Sequence, residues 1–573
     1  MNDIRRTILW VIFCVSLVLL WDKWQIHNGK EPTFFPSPVS ATAEGTARSP
    51  AKPGDASVPQ AATSTAGAGD VPGGVPGETP AAPAVPRQDV VVANDVLRLT
   101  FDSEGGSLKR AELLKYAETG DPSKAVTLLD ESMHRVYMAQ TGLIGGSFPT
   151  HKSAMTVQPG ERNLKDGEDS VQLRFESADM GGAKLVKTYT LKRGSYEIAV
   201  QHEVKNTGST AISPQLYMQL VRDGNKPEGE SSFYSTFTGP AVYTDAKKYH
   251  KVEFKDIEKG KADVDKSSDN GYVAMVQHYF ASAWLLGNGV QRDNFVRKVS
   301  DNLYAVGMIT PLGTVEPGQT KSMTNNLFVG PQIENMLEKM APGLELVKDY
   351  GWFTILSKPL YWLLSELHTF IGNWGWSIVA LVLLLKLAFY WLNAKAYSSM
   401  AKMKAINPRI MEMRERLKDK PQQMQQEMMR IYREEKVNPM GGCLPIIVQI
   451  PVFISLYWVL LSSVEIRNAP WIGWIHDLSA PDPFFILPVL MTLSSLLQTA
   501  LNPAPPDPMQ AKLMWIMPLM FSFMFFFFPA GLVLYWLTNN ILSIAQQWLI
   551  NKRMGVPPQF NLPKFGKAAE EKK

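Results

Sequence analysis

The chain has 573 residues, of which 45% are hydrophobic and 20% are charged, and its formal net charge is +4. Its mean hydropathy of −0.10 combines a polar first two-thirds with a last third that is almost continuously apolar. Apolar runs of about 20 residues are typical of transmembrane helices, which excludes a wholly soluble enzyme. The small net charge does not favour a nucleic-acid binder, and the 2 cysteines and scattered histidines form no disulfide framework, metal site or cofactor motif.

The N-terminus has the order of charge and apolarity that is found in export signals. Arg5 and Arg6 precede an apolar run from Ile8 to Trp21, and no small-residue cleavage site follows closely. We therefore predict a signal-anchor transmembrane helix at residues 1–28, with the N-terminus in the cytoplasm. Residues 29–88 are rich in Pro, Ala and Gly and carry too little apolar surface to offset the entropy of ordering, so we expect a disordered linker.

Short runs with alternating apolar residues characterise the region 89–335. Examples lie at residues 96–101, 171–175, 185–191 and 196–200, and turn signals such as Asn206-Thr-Gly separate them. This pattern predicts an all-β sandwich of antiparallel strands. Because it follows the anchor, the sandwich is expected in the periplasm.

Residues 336–372 are predicted to form an amphipathic interfacial segment. Pro359 is suited to open a helix whose apolar residues recur at helical spacing, namely Leu360, Leu363, Leu364, Leu367 and Ile371. We favour a helix that lies in the membrane interface. Packing of the same face against the sandwich would produce an identical pattern and stays as the alternative.

Residues 373–551 are predicted to form an α-helical membrane core of five spans, which brings the total to six with the anchor. The spans are expected at about 374–393, 442–464, 484–501, 513–528 and 532–550. Six crossings place the segment after the second span and the basic tail 552–573 in the cytoplasm. Residues 395–436 carry eleven basic and six acidic residues, whereas the predicted outer loop 465–483 carries only Arg467 as a Lys or Arg. This distribution agrees with the positive-inside rule.

The cytoplasmic segment 397–437 is predicted to be a helical hairpin. Asn407-Pro408 is expected to begin the first arm, and Asp419-Lys-Pro421 to turn into the second. Apolar residues repeat along both arms, at Ile410, Met413, Leu417, Met424, Met428, Ile431 and Tyr432. Both a solvated connector and a docking surface that uses the adaptable methionines agree with this pattern.

Lys386 lies about twelve residues into the second span, where a lysine costs on the order of 2.5 to 3.5 kcal/mol. No Asp or Glu occurs in the apolar run 8–21 of the anchor or in the other five predicted spans, so an intramembrane ion pair is not expected. The ammonium either extends to the inner headgroups or faces a hydrophilic groove open to the cytoplasm. We favour the groove, because Tyr390, Asn393 and Tyr397 share the helical face of Lys386.

Other predicted spans contribute polar residues that suit such a groove. These are Gln449, Tyr535 and Asn539, for which interhelical hydrogen bonding is an equally good explanation. The sequence contains no G-x-x-x-x-G-K-[ST] phosphate loop, no G-x-S-x-G elbow and no acid within the apolar run of a span. These absences argue against an ATPase, a serine hydrolase and an ion-coupled transporter.

Several runs within about residues 350–555 closely resemble the YidC/Oxa family of membrane protein insertases. The runs are Gly372-Asn-Trp-Gly-Trp-Ser377, Met400-Ala-Lys-Met403, Val437-Asn-Pro-Met-Gly-Gly-Cys-Leu-Pro445, Trp474-Ile-His-Asp-Leu-Ser479, Asp507-Pro-Met-Gln510 and Phe528-Pro-Ala-Gly-Leu-Val-Leu-Tyr-Trp536. The anchor and the exported sandwich resemble the Gram-negative form of the family. In that form the sandwich has a carbohydrate-binding-like fold without known catalysis.

The resemblance implies a positively charged residue, commonly Arg, in a groove within the inner half of the membrane. Lys386 occupies that position, and because Lys lacks the bidentate fork of Arg, only the charge role transfers. The substrate contacts implied by the resemblance are Val382, Ile450, Phe453 and Trp536. Together with Lys386, Tyr390, Gln449, Tyr535 and Asn539 they make up the predicted substrate groove.

The resemblance further implies a multi-pass inner-membrane insertase and chaperone that uses no cofactor and performs no enzymatic reaction. The implied partners are nascent membrane proteins, the Sec translocon, the lipid bilayer and the ribosome, the last through the basic tail and the hairpin. The alternative is a membrane-anchored sugar-binding or sugar-modifying protein that acts through the sandwich, since that region contains histidines and carboxylates.

Overall fold

The computed structural model describes residues 58–59, 87–118, 121–227, 236–418, 420–435, 444–502, 508–555 and 560. The predicted anchor and most of the predicted linker lie outside these residues. The described chain divides between Lys348 and Asp349 into two compact units. One unit is built from strands and the other from helices.

The β unit contains two nine-stranded sheets in which all strand pairings are antiparallel. The strands are β1 Asp89–Ala93, β2 Leu97–Asp102, β3 Ser107–Glu118, β4 Asp121–Glu131, β5 Val136–Ile144, β6 Met155–Val157, β7 Ser170–Ser177, β8 Ala183–Lys192, β9 Glu197–Asn206, β10 Gln215–Asp223, β11 Gly239–Thr244, β12 Lys248–Lys251, β13 Ser267–Ser268, β14 Tyr272–Gln277, β15 Phe280–Leu285, β16 Arg292–Ser300, β17 Leu303–Pro311 and β18 Thr320–Pro331. The first sheet has the order β1-β2-β3-β4-β5-β10-β17-β16-β13, and the second has the order β12-β11-β14-β15-β18-β9-β8-β7-β6. Two short helices, α1 Phe254–Glu258 and α2 Glu334–Met340, complete the unit.

Alternating burial along the strands explains why this sequence forms a sandwich. In β7 the residues Val171, Leu173 and Phe175 are buried, and the residues between them are exposed. The ring of Phe175 lies 5.8 Å from that of Phe101 in the first sheet, and Phe101 also packs against Tyr189 at 4.5 Å. These contacts join the inner faces of the two sheets. The predicted antiparallel β-sandwich is therefore confirmed.

A buried lysine also links the two sheets. Lys187 of β8 is 0% exposed, and its Nζ donates to the carbonyl oxygens of Gly105 at 2.6 Å and Thr141 at 2.7 Å. His202 of β9 shares a hydrogen bond of 2.9 Å with the Thr141 hydroxyl. Burial lowers the pKa of Lys187 to about 7. Burial first, and the nearby Lys187 second, hold the pKa of His202 well below its usual range.

We expect the β unit to become more stable as the pH rises from 7 to 9. The pKa of Lys187 is about 7 in the folded unit and about 10.4 when unfolded, so the unfolded chain binds more protons across this window and stability increases with pH. The fragment 87–348 contains a single tryptophan, Trp284, whose fluorescence reports the urea midpoint. Lys187→Met should flatten the increase. The matched variant Lys192→Met, on an exposed residue of the same strand, should retain it, and an equal pH dependence in all three proteins would contradict the assignment.

The second unit consists of eight helices in the part of the chain that the structure describes. They are α3 Thr354–Ile371, α4 Trp374–Ala388, α5 Tyr390–Arg416, α6 Pro421–Glu434, α7 Leu444–Ser462, α8 Ile486–Leu501, α9 Pro508–Phe525 and α10 Ala530–Arg553. Their common core contains Leu364, Ile378, Leu456, Leu487 and Val533. No single described helix is both long and apolar enough to span a bilayer by itself, whereas α4 and the first part of α5 meet that test together.

The amphipathic helix begins earlier than its proline suggested. It starts at Thr354, with Pro359 inside it. Tyr361 and Leu364 are buried in the core of the helical unit, while Trp362 and Phe370 are exposed. One face of α3 therefore packs against other helices of the unit. Its exposed face also carries apolar side chains.

The predicted second span is not one continuous helix. Ala388 ends α4, Tyr390 begins α5, and the two axes differ by 66°. Helix α5 continues through Pro408, so the expectation that Asn407-Pro408 begins the first hairpin arm is wrong. The second arm begins at Pro421 as predicted, because proline fits the first helical position.

The apolar residues of the hairpin mostly pack against one another. Ile406, Ile410, Met413 and Ile431 form a buried cluster between α5 and α6, which Met403, Leu417, Met424, Met428 and Tyr432 flank. Arg409 adds exposed ion pairs to Glu434 and Glu435, which contribute little to stability. Four of the hairpin methionines therefore belong to its own core, whereas Met411 and Met429 are exposed.

Candidate functional site

Lys386 lies in the last turn of α4 and forms a hydrogen bond with α10. Its Nζ donates to Ser543 Oγ at 2.8 Å, and Ser543 Oγ donates to the Asn539 carbonyl at 2.7 Å. The lysine is 9% exposed. Among the residues that the structure describes, no carboxylate lies within 4.0 Å of this ammonium. A buried positive charge is therefore bound by a neutral hydroxyl.

Helix α10 supplies most of the polar surface around this lysine. The Asn539 side-chain oxygen accepts from Gln449 Nε2 of α7 at 3.5 Å, and Gln546 Nε2 donates to the Tyr390 carbonyl at 3.4 Å. On the neighbouring side, Asn540 Nδ2 donates to Ser495 Oγ of α8 at 3.0 Å. Polar groups of α10 thus contact α4, α5, α7 and α8, as interhelical hydrogen bonds do in membrane proteins.

Aromatic side chains lie on α10 about one turn before Asn539. Tyr535 is buried, and its ring meets that of Phe453 at 5.5 Å in an edge-on arrangement. Trp536 packs against Phe525 and Phe528 at 5.0 and 5.6 Å. These contacts connect α10 to α7 and α9, and they separate the polar surface near Lys386 from the other end of the bundle.

The nine predicted groove residues do not form one connected cluster in the structure. Lys386, Asn539 and Gln449 are linked through hydrogen bonds to α10, and Tyr535 and Phe453 form a separate ring pair. Val382 is buried in the helical core, and Trp536 is partly buried against that core. Ile450 and Tyr390 are exposed at 45% and 37%. The bend at Phe389 interrupts the helix between Lys386 and Tyr390.

Unpaired polar atoms occur near the start of α5 and along the facing part of α10. Asn393 Nδ2, Gln546 Oε1 and Gln547 Oε1 are buried and have no hydrogen-bond partner within the part of the chain that the structure describes. Buried polar atoms of this kind are commonly satisfied by water. The end of the bundle beyond Lys386 therefore has the polarity that internal water needs.

Ser543 was not singled out in the sequence, although it is the residue that binds the Lys386 ammonium. Its position four residues after Asn539 and eight after Tyr535 puts it on their helical face. That spacing is the feature of the sequence that could have identified Ser543 as a residue of the site. Serine is common in membrane helices as a packing residue, so only the contact with Lys386 distinguishes it.

The N-terminal end of α4 is held by a cap and a close approach. The Asn373 side chain accepts from the Trp376 amide at 3.1 Å and donates to the carbonyl of Pro470. A Cβ on Gly375 would lie 2.2 Å from the Trp471 ring, so this position requires glycine. Both contacts hold the start of α4 against the segment between α7 and α8. They thereby fix the position of Lys386 within the helical unit.

Two of the sandwich histidines, on which the sugar-directed alternative depends, form structural hydrogen bonds. His151 Nδ1 shares a hydrogen bond of 2.6 Å with Tyr217, and His202 bonds to Thr141 inside the sandwich. Both are buried. No group of three or more His, Cys, Asp or Glu that could hold a metal ion occurs among the described residues.

We predict that Ser543→Ala lowers the melting temperature of the detergent-solubilised protein by about 4–8 °C. The change leaves the Lys386 ammonium buried without its acceptor, which costs about 2 kcal/mol. Ser522→Ala is a matched control, because the hydroxyl of Ser522 is equally buried at 4% and donates to the Pro518 carbonyl of its own helix. The double variant Lys386→Met with Ser543→Ala should recover most of the loss. Equal effects of both serine changes would contradict the assignment.

Comparison with known proteins gives matches over both units. The family model described as "YidC periplasmic domain" matches residues 89–363, and the model described as "60Kd inner membrane protein" matches residues 366–556. A protein of Cupriavidus metallidurans named "Membrane protein insertase YidC" is 56% identical over 96% of this chain and 98% of its own length. A protein of the same name from Janthinobacterium sp. is 51% identical over 97% of this chain and 100% of its own.

One similar solved structure is described as "Active YidC insertase crystal structure with the first transmembrane domain resolved". It is 19% identical, has a TM-score of 0.37, and the match covers 80% of this chain and 91% of the other.

Proposed function

This chain belongs to the family of YidC membrane protein insertases, and we propose that it inserts nascent proteins into the inner membrane through a groove around Lys386. The observation that carries the proposal is the buried Lys386 ammonium, which is bound by the Ser543 hydroxyl and not by a carboxylate. Such a charge is available to an acidic group that arrives from outside the protein. The proposal requires no covalent chemistry and no cofactor.

The membrane arrangement we propose has six spans and both termini in the cytoplasm. The anchor 1–28, the linker 29–88, the periplasmic sandwich 89–335, the interfacial segment 336–372, the membrane core 373–551 and the tail 552–573 follow one another. The basic excess of the hairpin 397–437 supports this orientation. Helix α4 has 15 residues and is about 22 Å long, which is less than the hydrocarbon thickness of about 30 Å. With α4 beginning at the outer boundary, Lys386 lies about 18 Å from that boundary and about 12 Å from the cytoplasmic one.

In the first proposed step, an acidic segment of the client replaces Ser543 as the partner of Lys386. A charge-assisted hydrogen bond between a carboxylate and an ammonium is about twice as strong as a bond to a neutral group. The hydroxyl of Ser543 therefore keeps the charge satisfied in the resting protein and is displaced by a client carboxylate. The polar segment needs to cross only the remaining part of the bilayer.

In the second step, the apolar helix of the client moves along the membrane-facing surface into lipid. Ile450 on α7 is exposed at its side of the proposed groove, and Met520 and Phe523 on α9 are exposed as well. Burial of the client's apolar surface, at about 25 cal/mol per Å², supplies the driving force. Val382, Phe453 and Trp536 then act by shaping the groove wall, since these residues are buried or partly buried.

The proposed partners besides client proteins are the lipid bilayer, the Sec translocon and the ribosome. The ribosome proposal rests on charge. Arg416, Lys418, Lys420 and Arg433 are exposed near the tip or along the arms of the hairpin, and the tail adds six further basic residues. Basic surfaces of this kind favour contact with a polyanion.

We expect Lys386→Glu to reduce insertion of a client with an acidic exported tail by about tenfold, equivalent to about 1.4 kcal/mol. Lys386→Ala should have a smaller effect, and Lys386→Arg should retain activity, because the proposed step depends on charge. Insertion is measured in liposomes that contain the full chain, by protease protection of a single-span client.

The same assay contains its controls. A client with a neutral tail should be inserted almost equally by all four proteins, and Lys192→Glu, a change at an exposed residue of the β unit, should leave both clients unaffected. If Lys386→Glu inserts the acidic client as well as the unchanged protein does, the proposed role of the groove charge is wrong.

A further inference from the structure

One short segment of the predicted linker contacts the sandwich. Val58 and Pro59 belong to the linker 29–88, and the structure describes both residues. Pro59 is buried and Val58 is half-buried. The Val58 side chain packs against a cluster that consists of Ile144, Tyr217 and Ile309 with the partly buried Phe295. This segment therefore has a packing surface on the β unit.

The cluster belongs to the face of the first sheet that points away from the second sheet. Its residues come from the four adjacent strands β5, β10, β17 and β16. Tyr137 of β5 faces the second sheet, because its hydroxyl shares a hydrogen bond of 2.6 Å with Ser282 of β15. Ile144 follows Tyr137 by seven positions in the same strand, so it lies on the opposite face. The outer face of the first sheet is thus apolar where Val58 contacts it.

A glycine makes room for an aromatic ring beside this contact. Gly307 of β17 is paired with Phe295 of β16, and a Cβ on Gly307 would lie 2.5 Å from the Phe295 ring. The ring therefore lies over the neighbouring strand. On the next strand, β10, Tyr217 is completely buried. Two aromatic rings and two isoleucines thus form the surface that the Val58 side chain covers.

Arg297 binds the main chain of the same segment. Its Nη1 donates to the Val58 carbonyl at 3.3 Å, and its Nη2 donates to Gln219 Oε1 at 3.2 Å. Gln219 Nε2 in turn donates to Gln140 Oε1 at 2.9 Å. A row of polar side chains on β5, β10 and β16 therefore holds the guanidinium in the position from which it binds Val58.

The Val58-Pro59 dipeptide has the chemistry that this surface requires. Proline fixes its own φ and disfavours a helical conformation in the preceding residue, so the segment is extended before it binds and loses less conformational entropy. Pro59 also has no N–H group that burial would leave unsatisfied. Extended proline-containing segments bind aromatic-lined grooves for these reasons.

We propose that Val58 and Pro59 form an intramolecular docking segment of the linker. Its binding site, named here the Val-Pro site, consists of Ile144, Tyr217, Phe295, Arg297 and Ile309. The occupant is the chain's own linker, because the Val58 side chain packs on the cluster and its carbonyl accepts from Arg297. The site lies within the β unit, so it does not depend on the proposed insertase function.

Docking shortens the tether between the predicted anchor and the sandwich. Residues 29–57 then separate the two, instead of residues 29–88. Because the mean end-to-end distance of a flexible chain grows with the square root of its length, this reach falls to about 0.7 of its undocked value. The Val-Pro site therefore limits how far the sandwich moves from the predicted anchor.

The linker supplies a matched control for the test, because Val71-Pro72 repeats the same dipeptide. A nitroxide label on Gln60→Cys reports the mobility of the segment in the full chain in detergent, with Cys14 and Cys443 replaced by serine. We expect Val58→Asp to shorten the rotational correlation time of the label at least about threefold, because a carboxylate is costly to bury against the cluster. Val71→Asp should leave the correlation time unchanged.

A second pair of variants tests the binding site itself. Arg297→Met removes the donor to the Val58 carbonyl and should shorten the correlation time about twofold. Lys298→Met, a change at the adjacent exposed residue, should not. Far-UV circular dichroism checks that the sandwich is folded in each protein, and Val58→Asp lies outside the sandwich.

Two results would overturn the proposal. The Val-Pro site is wrong if Val58→Asp leaves the label as immobile as in the unchanged protein, or if Val71→Asp mobilises it equally. Dilution of the protein by about tenfold should not change the mobility of the label, because an intramolecular contact is independent of concentration. A gain in mobility on dilution would mean that a second copy supplies the segment, which contradicts docking within one chain.

Discussion

The helical unit depends on how it accommodates one buried ammonium without a counter-ion. A buried charge is costly unless hydrogen bonds replace its hydration, and the Ser543 hydroxyl is the group that does so for Lys386. That contact requires α4 and α10 to be adjacent at this depth. It also explains why α10 has a polar face, since Ser543, Asn539 and Asn540 all use it to contact other helices.

The sandwich contains a second buried ammonium that is held differently. Lys187 donates to two main-chain carbonyls of the opposite sheet region, which cannot be exchanged without opening the sandwich. Lys386 has a single side-chain acceptor on a neighbouring helix. The two carbonyl acceptors make Lys187 a structural link. The single hydroxyl acceptor of Lys386 suits a charge that changes partners in the proposed function. The same chemical group thus serves stability in one unit and the proposed function in the other.

The bend at Phe389 determines which residues after Lys386 lie beside α10. Helix α4 ends two residues after Lys386, and the unpaired polar atoms of Asn393 and Gln546 follow beyond that end. The same bend brings the Tyr390 carbonyl within 3.4 Å of Gln546 Nε2 in α10.

Most of the architecture could be predicted from local patterns. Alternating burial identifies strands such as β7 and β8, since a strand with one buried face repeats every two residues. Apolar runs identify α7, α8, α9 and α10 to within a few residues of their observed ends. Pro421 begins α6 as expected. Proline was misleading in α3 and α5, where Pro359 and Pro408 lie inside helices, because packing of the surrounding helix outweighs the local cost.

The sequence by itself determined that Lys386 carries an isolated charge in an apolar segment, because the absence of Asp and Glu from the apolar runs of all predicted spans is a property of composition. Only the tertiary structure decided which group binds that charge and which predicted residues share its surroundings. Hydrogen-bond partners such as Ser543 lie 157 positions away along the chain. Periodicity reports which face of a helix is polar, but not which helix that face will meet.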